Sequence, residues 1–265
     1  MTICTLASGS KGNCTYIKSD KTEILIDAGI SRRATEKALN SVGTTIGNIT
    51  AIFITHEHSD HVKALEQITR YADIPLVMNL PTAQALANGM GREYARLIKL
   101  LPAGRSVNLA SMSVYAFNTP HDSAGSMGYT VDCKDGSRAG VATDIGCVTD
   151  EVRDALTGCG TVVLESNHDE KMLLEGSYPM QLKKRIMSGR GHLSNKSCAE
   201  FIPYLADKGT RNFILYHLSE ENNRPELAYT TSADALRAAD FTGSAFSLYT
   251  APVKESYRVF EGIAM

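Results

Sequence analysis

Short apolar runs, each closed by a polar or turn-forming group, recur along the 265-residue chain. Residues 2–7 alternate weakly and predict an edge strand; 14–17 and 23–26 predict two more. Further strands are predicted at 51–54, 76–78, within 107–117, at 161–165 and 212–216, with a terminal pair near the C-terminus. Residues 127–132 and 138–142 predict a hairpin around Lys134-Asp-Gly136, a turn signal. Between the strands lie helical patterns. One spans 31–42, with Ser31 as N-cap and Gly43 as stop. Others span 62–71, 81–87 (opened by Pro81 and broken at Asn88-Gly89), 152–156, a basic 179–187, an amphipathic 196–207 capped by Ser194 or Asn195, and 232–239. Interleaved strands and helices predict an α/β fold. With no repeat, low-complexity run or linker, residues 1–265 read as a single domain.

The strands share a second feature: they end in potential ligands. Asp27, His56, His121, Asp144, Glu165 and His217 each stand at or just beyond the end of a predicted strand. A strand is stiff, so ligands delivered from several strand ends onto one rim make a site held by the fold itself. The densest case is Ala51-Ile-Phe-Ile-Thr-His56-Glu-His58-Ser-Asp60-His61, which packs three of the seven histidines and an aspartate behind an apolar run. Imidazole nitrogens beside a carboxylate suit zinc, and manganese or iron less tightly, so this stretch predicts a metal site. The other strand-end residues have plainer readings as well. His121 suits a surface turn, Asp144 a turn cap, and His217 a hydrogen-bonded core histidine.

Composition narrows the setting. Lys and Arg total 27 against 29 acids, so no overall basic field advertises a nucleic-acid partner, although a local basic face stays open. No run approaches the roughly 18 apolar residues of a membrane helix, and residues 1–6 lack the charged and apolar regions of a signal peptide. The six cysteines are scattered without a C-x-x-C pair, which predicts reduced thiols and a cytoplasmic protein without membrane association. No obligate protein partner is inferred. The loop Ser8-Gly-Ser-Lys-Gly-Asn13 lacks the Gly-Lys-Ser/Thr of a P-loop. It is either a plain turn or a set of backbone donors for phosphate, with Ser10 and Asn13 as candidate contacts.

Thr55-His56-x-His58-x-Asp60-His61 after a strand resembles the signature of the metallo-β-lactamase-fold hydrolases. That resemblance implies a four-layer αββα sandwich and two divalent ions, with manganese favoured over zinc or iron. It also implies a ligand set: His56, His58 and His121 for one ion, Asp60, His61 and His217 for the other, and Asp144 bridging. Asp27 would stand behind them and orient the histidine-rich loop. Asp60 would also count among the catalytic groups.

A further polar pair separates the branches of that superfamily. Glu165 in Val-Leu-Glu-Ser and His192 in Gly-His-Leu-Ser resemble the phosphodiesterase branch that includes RNase Z, where such a glutamate orients a histidine general acid. Ser8-Gly-Ser-Lys-Gly-Asn-Cys14, Leu25-Ile-Asp-Ala-Gly29, Glu165-Ser-Asn-His-Asp169, Gly176-Ser-Tyr-Pro179 and Gly191-His-Leu-Ser-Asn195 together resemble the YycJ/WalJ family, over about residues 2–220. This implies a cytosolic 5′-to-3′ exonuclease on double-stranded DNA with a role in mismatch repair. Lys183, Lys184, Arg185, Arg190 and Lys196 flank His192 and read either as a phosphate-contacting strip or as a solvated helix face, with Lys184 and Arg190 the chosen contacts. Asn167 and His168 are candidate phosphate contacts as well. No arm like the tRNA-gripping arm of RNase Z is visible. Two rival readings are a small-molecule (cyclic or nucleotide) phosphodiesterase or other metallo-hydrolase on the same fold, and a non-catalytic, metal-stabilised regulatory protein.

Overall fold

The structure, a computed structural model, describes residues 1–87, 92–241, 246–252 and 259–261. Among these residues the strands, numbered in chain order, form two seven-stranded sheets. The first holds β1 (Thr2–Ala7), β2 (Cys14–Ser19), β3 (Thr22–Ile26), β4 (Ala51–Phe53), β5 (Leu76–Met78), β6 (Ile98–Leu100) and, from the end of the chain, β14 (Val259–Glu261). Its order is β14-β1-β2-β3-β4-β5-β6. The second holds β7 (Arg105–Asn108), β8 (Met112–Asn118), β9 (Met127–Cys133), β10 (Arg138–Ala142), β11 (Thr161–Glu165), β12 (Asn212–Tyr216) and β13 (Ser247–Thr250), in the order β13-β12-β11-β10-β9-β8-β7. Helices α1 (Arg32–Ser41), α2 (Ser59–Val62), α3 (Leu65–Tyr71), α4 (Leu80–Ala87) and α5 (Arg92–Ala95) belong to the first half. Helices α6 (Asp150–Leu156), α7 (Glu170–Glu175), α8 (Met180–Ile186), α9 (Asn195–Asp207) and α10 (Pro225–Ala238) belong to the second. None of the described helices is long and apolar enough to cross a membrane.

Side-chain alternation sorts the apolar residues into layers. Ile24, Ile26 and Phe53 of the first sheet meet Tyr129, Val141, Val163 and Ile214 of the second, filling the seam between the sheets. On the outer side of the first sheet, Leu25, Ile52 and Leu76 pack on Leu39, Leu65 and Ile68. On the outer side of the second, Val162, Leu164 and Phe213 pack on Leu156, Ile202 and Leu236. The result is the four-layer αββα sandwich. Strands β11 and β12 are buried along their whole length because both of their faces are covered, which is why they read as continuous apolar runs.

Three expectations are corrected. β1 is not an edge strand, because β14 pairs along it (Thr2 opposite Glu261, Cys4 opposite Val259), a contact across nearly the whole sequence. The helix expected at 62–71 is two pieces, since the Ala64 N–H donates to the Ala28 carbonyl (2.9 Å) and so joins α3 to the loop after β3. The last helix begins at Pro225, a residue suited to the first turn, and not at Ser232. The Asn88-Gly89 break lies outside the described residues.

Parallel pairing places the strand ends level. Ile26 lies opposite Phe53 in the first sheet, and in the second Ala142 lies opposite Leu164 and Glu165 opposite Tyr216. Tyr216 also ties the sheets together at this rim. Its buried hydroxyl donates to the Ala7 carbonyl (2.6 Å) and accepts from the Cys14 N–H (3.0 Å). Tyr216→Phe leaves both backbone groups without that partner and is expected to cost about 1–3 kcal/mol. Urea unfolding of the variant beside the parent checks this; an unchanged midpoint would refute it.

The candidate active site

The rim residues are aimed by unusual backbone. Asp27, Asp144 and His217 adopt left-handed conformations (φ 63°, 53° and 58°) immediately after or near their strands. Non-glycine residues enter this region at a cost of about 1–3 kcal/mol each, and such strain clusters at functional sites. Here it turns each side chain sharply off its strand and into the seam.

The six strand-end groups, with His58, Asp60, His61 and His192, converge. His56, His58 and His121 offer donor atoms within 4.8 Å of one another, as do Asp60, His61 and His217, and so do His56, His61 and Asp144. Asp144 Oδ2 lies 3.1 Å from His61 Nε2, and its Oδ1 lies 3.9 Å from His121 Nε2 and 3.3 Å from His217 Nδ1. Asp60 Oδ2 stands 3.5 Å from His61 Nε2 and 3.6 Å from His217 Nε2.

Four rings are fastened from behind through Nδ1. His61 donates to Asp27 (2.7 Å), His217 to Glu165 (2.8 Å) and His121 to the Gly191 carbonyl (3.1 Å), while His56 Nδ1 lies 3.0 Å from Thr55 Oγ1. Their Nε2 atoms are left to the centre. Those of His56 and His217 are buried without a hydrogen-bond partner. Buried imidazole nitrogens fixed from behind and unsatisfied in front are the donor set of a divalent metal site.

Electrostatics fit the same reading. Burial keeps His56 and His121 below the ordinary histidine pKa. Burial also opposes charge on His61, but Asp144 and Asp27 outweigh it and raise that ring well above its ordinary value. At His217, Asp144, Asp60 and Glu165 overcome burial and lift the pKa to about 10. Burial opposes ionisation of Asp144, yet His217 and His61 hold it well below the usual carboxylate range.

Glu165 is fully buried and accepts four hydrogen bonds. Oε1 takes Nδ1–H of both His192 and His217 at 2.8 Å, and Oε2 takes the N–H of Ile145 (2.7 Å) and of Leu193 (3.1 Å). Burial pushes its pKa up, but His192 and the other donors bring it down to about 2. At His192 the glutamate outweighs burial and raises the ring. The link from Glu165 to His217 was not visible in the sequence.

The remaining candidates divide. Asn13 is buried with Nδ2 3.0 Å from His61 Nε2 and 3.3 Å from Asp60 Oδ2, so it stands at the cluster. Asn167 supports the centre from outside, donating to the His217 carbonyl at 2.8 Å. His168 is buried, its Nδ1 unpartnered, in the wall of a cleft that also holds His192. Ser10 and Lys184 are exposed.

The basic strip is largely dissolved. Lys183 is buried and donates to the carbonyls of Leu174 (2.8 Å) and Gly176 (2.7 Å), closing the end of α7. Arg185 pairs with Asp122. Arg190 donates to the His121 carbonyl at 3.1 and 2.9 Å. Lys184 and Lys196 stay exposed.

Two contributors stand in the quoted motifs but were assigned no role from the sequence. Thr55 donates its N–H to Asp27 (2.8 Å) and sets its hydroxyl among Asp27, His56 and His61; its position directly before His56 was the available signal. Gly29 permits a close approach, since a Cβ there would lie 1.6 Å from the Asp60 carbonyl oxygen.

Comparison with known proteins agrees with this geometry. Residues 22–218 match the family described as the beta-lactamase superfamily domain. The chain is 34% identical over 245 residues to exodeoxyribonuclease YycJ of Bacillus anthracis, covering 92% of each protein. It is 34% identical over 247 residues to exodeoxyribonuclease WalJ of Streptococcus pneumoniae, covering 92% of this chain and 91% of that one. Among solved structures, zinc-bound PqqB from Methylobacterium extorquens superposes with a TM-score of 0.70 at 13% identity, covering 98% of this chain and all of that one. The chain therefore belongs to the metallo-β-lactamase superfamily and, within it, to the YycJ/WalJ family.

Two outcomes are expected. The surrounding carboxylates raise the pKa of His61 and His217, and a ligand nitrogen must be neutral, so loading should release protons and bind more tightly as pH rises. Titration calorimetry in buffers of different ionisation enthalpy reads the number; no buffer dependence would contradict it. Gly29→Ala forces the Asp60 loop away, and metal content per chain, measured on purified protein, should fall.

Proposed function

We propose that the protein is a metal-dependent phosphodiesterase acting on DNA, a 5′-to-3′ exonuclease at duplex ends in the cytoplasm, with a role in mismatch repair and a single domain over 1–265. The observation that carries this reading is the Glu165–His192 pair beside the histidine–aspartate cluster. A hydrolase acting on a good leaving group has little use for a positioned acid; a phosphodiester with an alkoxide leaving group gains about 10²–10⁴-fold from one. The names of the YycJ and WalJ relatives supply the substrate class.

Two divalent ions, manganese first and zinc or iron as alternatives, would sit on His56, His58 and His121 and on Asp60, His61 and His217, with Asp144 between. There they would neutralise phosphoryl charge and activate water. The residues of the chain do the rest. Asp27 and Thr55 hold the histidine-rich loop. Asp60, partly exposed on the open side, orients the attacking water. His192, its Nδ1–H held by Glu165 and its ring about one-fifth exposed, donates its other proton to the departing oxygen. Asn167, His168, Ser10, Asn13, Lys184 and Arg190 are the proposed substrate-side residues, of which Lys184 is best placed for long-range attraction and Arg190 acts through His121.

The small-phosphodiester reading gains one point from the structure, because Lys183, Arg185 and Arg190 are committed to protein partners. One assay separates the two. Metal-stripped protein, resupplied with Mn²⁺ or Zn²⁺, is given end-labelled duplex DNA and a small diester with an acidic phenol leaving group. His58→Ala should abolish both activities. His192→Ala should lower DNA cleavage about 10²–10⁴-fold and the phenol ester far less, because that leaving group needs little protonation. Cleavage of the small ester alone would remove DNA from the assignment.

A further inference from the structure

One face of α9 is turned toward the loop that carries His192. Ser197, Glu200, Phe201 and Tyr204 follow one another at i, i+3, i+4 and i+7 along it. With Leu193 and Arg153 they wall a cleft of about 400 Å³ between α9 and α6, within the ~300–1,000 Å³ usual for small-ligand sites. A smaller cleft of about 190 Å³ holds His168 and His192, and Ser197 lines both. Leu193 is the chain neighbour of His192. The two clefts therefore adjoin at Ser197, one holding the proposed acid and the other the aromatic end of α9.

The walls select by chemistry. Phe201 and Tyr204 stack with ring centroids 5.7 Å apart and planes 15° off parallel. Arg153 is ion-paired with Asp150, its guanidinium carbon 6.0 Å from the Tyr204 ring centroid. A phosphate here would meet the Glu200 carboxylate and an arginine already paired. A planar heterocycle would meet the apolar and aromatic side chains of Leu193, Phe201 and Tyr204, with Ser197, Glu200 and Arg153 for its polar edge.

We infer that this cleft receives the nucleobase of the terminal nucleotide as that nucleotide is released. The inference rests on the exonuclease reading above. In a cut of that polarity the water oxygen bonds to phosphorus, the P–O3′ bond breaks, His192 delivers its proton to O3′, and a water proton passes to solvent. The group departing on the His192 side is the terminal nucleotide, and the cleft that adjoins the one holding His192, through Ser197, is this one. Occupancy requires the terminal base to leave its pair, so ends that fray are degraded faster than ends that do not.

The test compares a duplex whose 5′-terminal nucleotide is mismatched, and so already unpaired, with the same duplex abasic at that position. In the parent protein the abasic end should raise KM about tenfold, the size of one lost base–aromatic stack. Tyr204→Ala should bring the ratio of the two KM values close to one, and Tyr204→Phe should keep it. A merely structural tyrosine would shift both substrates together and leave the ratio intact. A parent ratio near one, or a ratio that survives Tyr204→Ala, overturns the inference. If the parent cuts no DNA, the exonuclease reading fails by itself, and the cleft is then probed through Cys147, exposed in its wall while the other cysteines are buried. Deoxythymidine monophosphate should slow its labelling by N-ethylmaleimide and deoxyribose phosphate should not. Equal rates with both would overturn the inference independently of catalysis.

Discussion

Three carboxylates, Asp27, Asp144 and Glu165, lie almost wholly buried between the two sheets, and the architecture of the rim follows from keeping them tolerable. A buried charge costs several kcal/mol unless it is paired and its lone pairs are satisfied. Each of the three is answered by histidine and by backbone or hydroxyl donors: Asp27 by His61 and Thr55, Asp144 by His61, His217 and the Thr143 hydroxyl, Glu165 by His192, His217 and two N–H groups. The same pairing that makes the acids acceptable holds the histidines by one nitrogen and presents the other. A binding centre is thereby built from the solution to a solvation problem.

Pairing of this kind needs geometry that ordinary turns do not supply. The strands deliver backbone to one level, and the left-handed residues Asp27, Asp144 and His217 then redirect the chain within a single step. The loop after β1 is drawn in at the same place, with the Ser8 hydroxyl accepting from the His217 N–H (2.9 Å) and the Asn13 N–H donating to the Asp60 carbonyl (2.7 Å). Local strain is sustained because packed sheets on both sides over-determine it. Stability and chemistry share residues here, so Glu165 serves the proposed acid and the proposed ligand His217 with one oxygen.

The surface near His192 shows a different economy. Cations that read as a phosphate strip are mostly spent on the fold: Lys183 ends α7, Arg190 secures the backbone of His121, and Arg185 joins α8 to the loop holding Asp122. Attraction of a polyanion then falls to few exposed lysines and to the centre itself. The proposed stacking against α9 would supply affinity that does not depend on net charge, in a chain whose acids outnumber its bases.

Much of this molecule was written locally. The histidine-rich motif, the strand cores at 161–165 and 212–216, the Ser31 cap and the polar residues ending the strands depend on neighbours within a few positions, and pattern alone specifies them. Their convergence into one centre could be expected, because stiff parallel strands bring their ends level. What tertiary structure alone decided were contacts between distant segments: β14 closing over β1, Ala64 tied to Ala28, and Glu165 shared by His192 and His217. It also decided the burial of Lys183 beneath α7 and the cleft between α6 and α9. A lysine's charge is legible in its letter, but whether it faces water or a helix end depends on which elements pack beside it, and no local pattern records that.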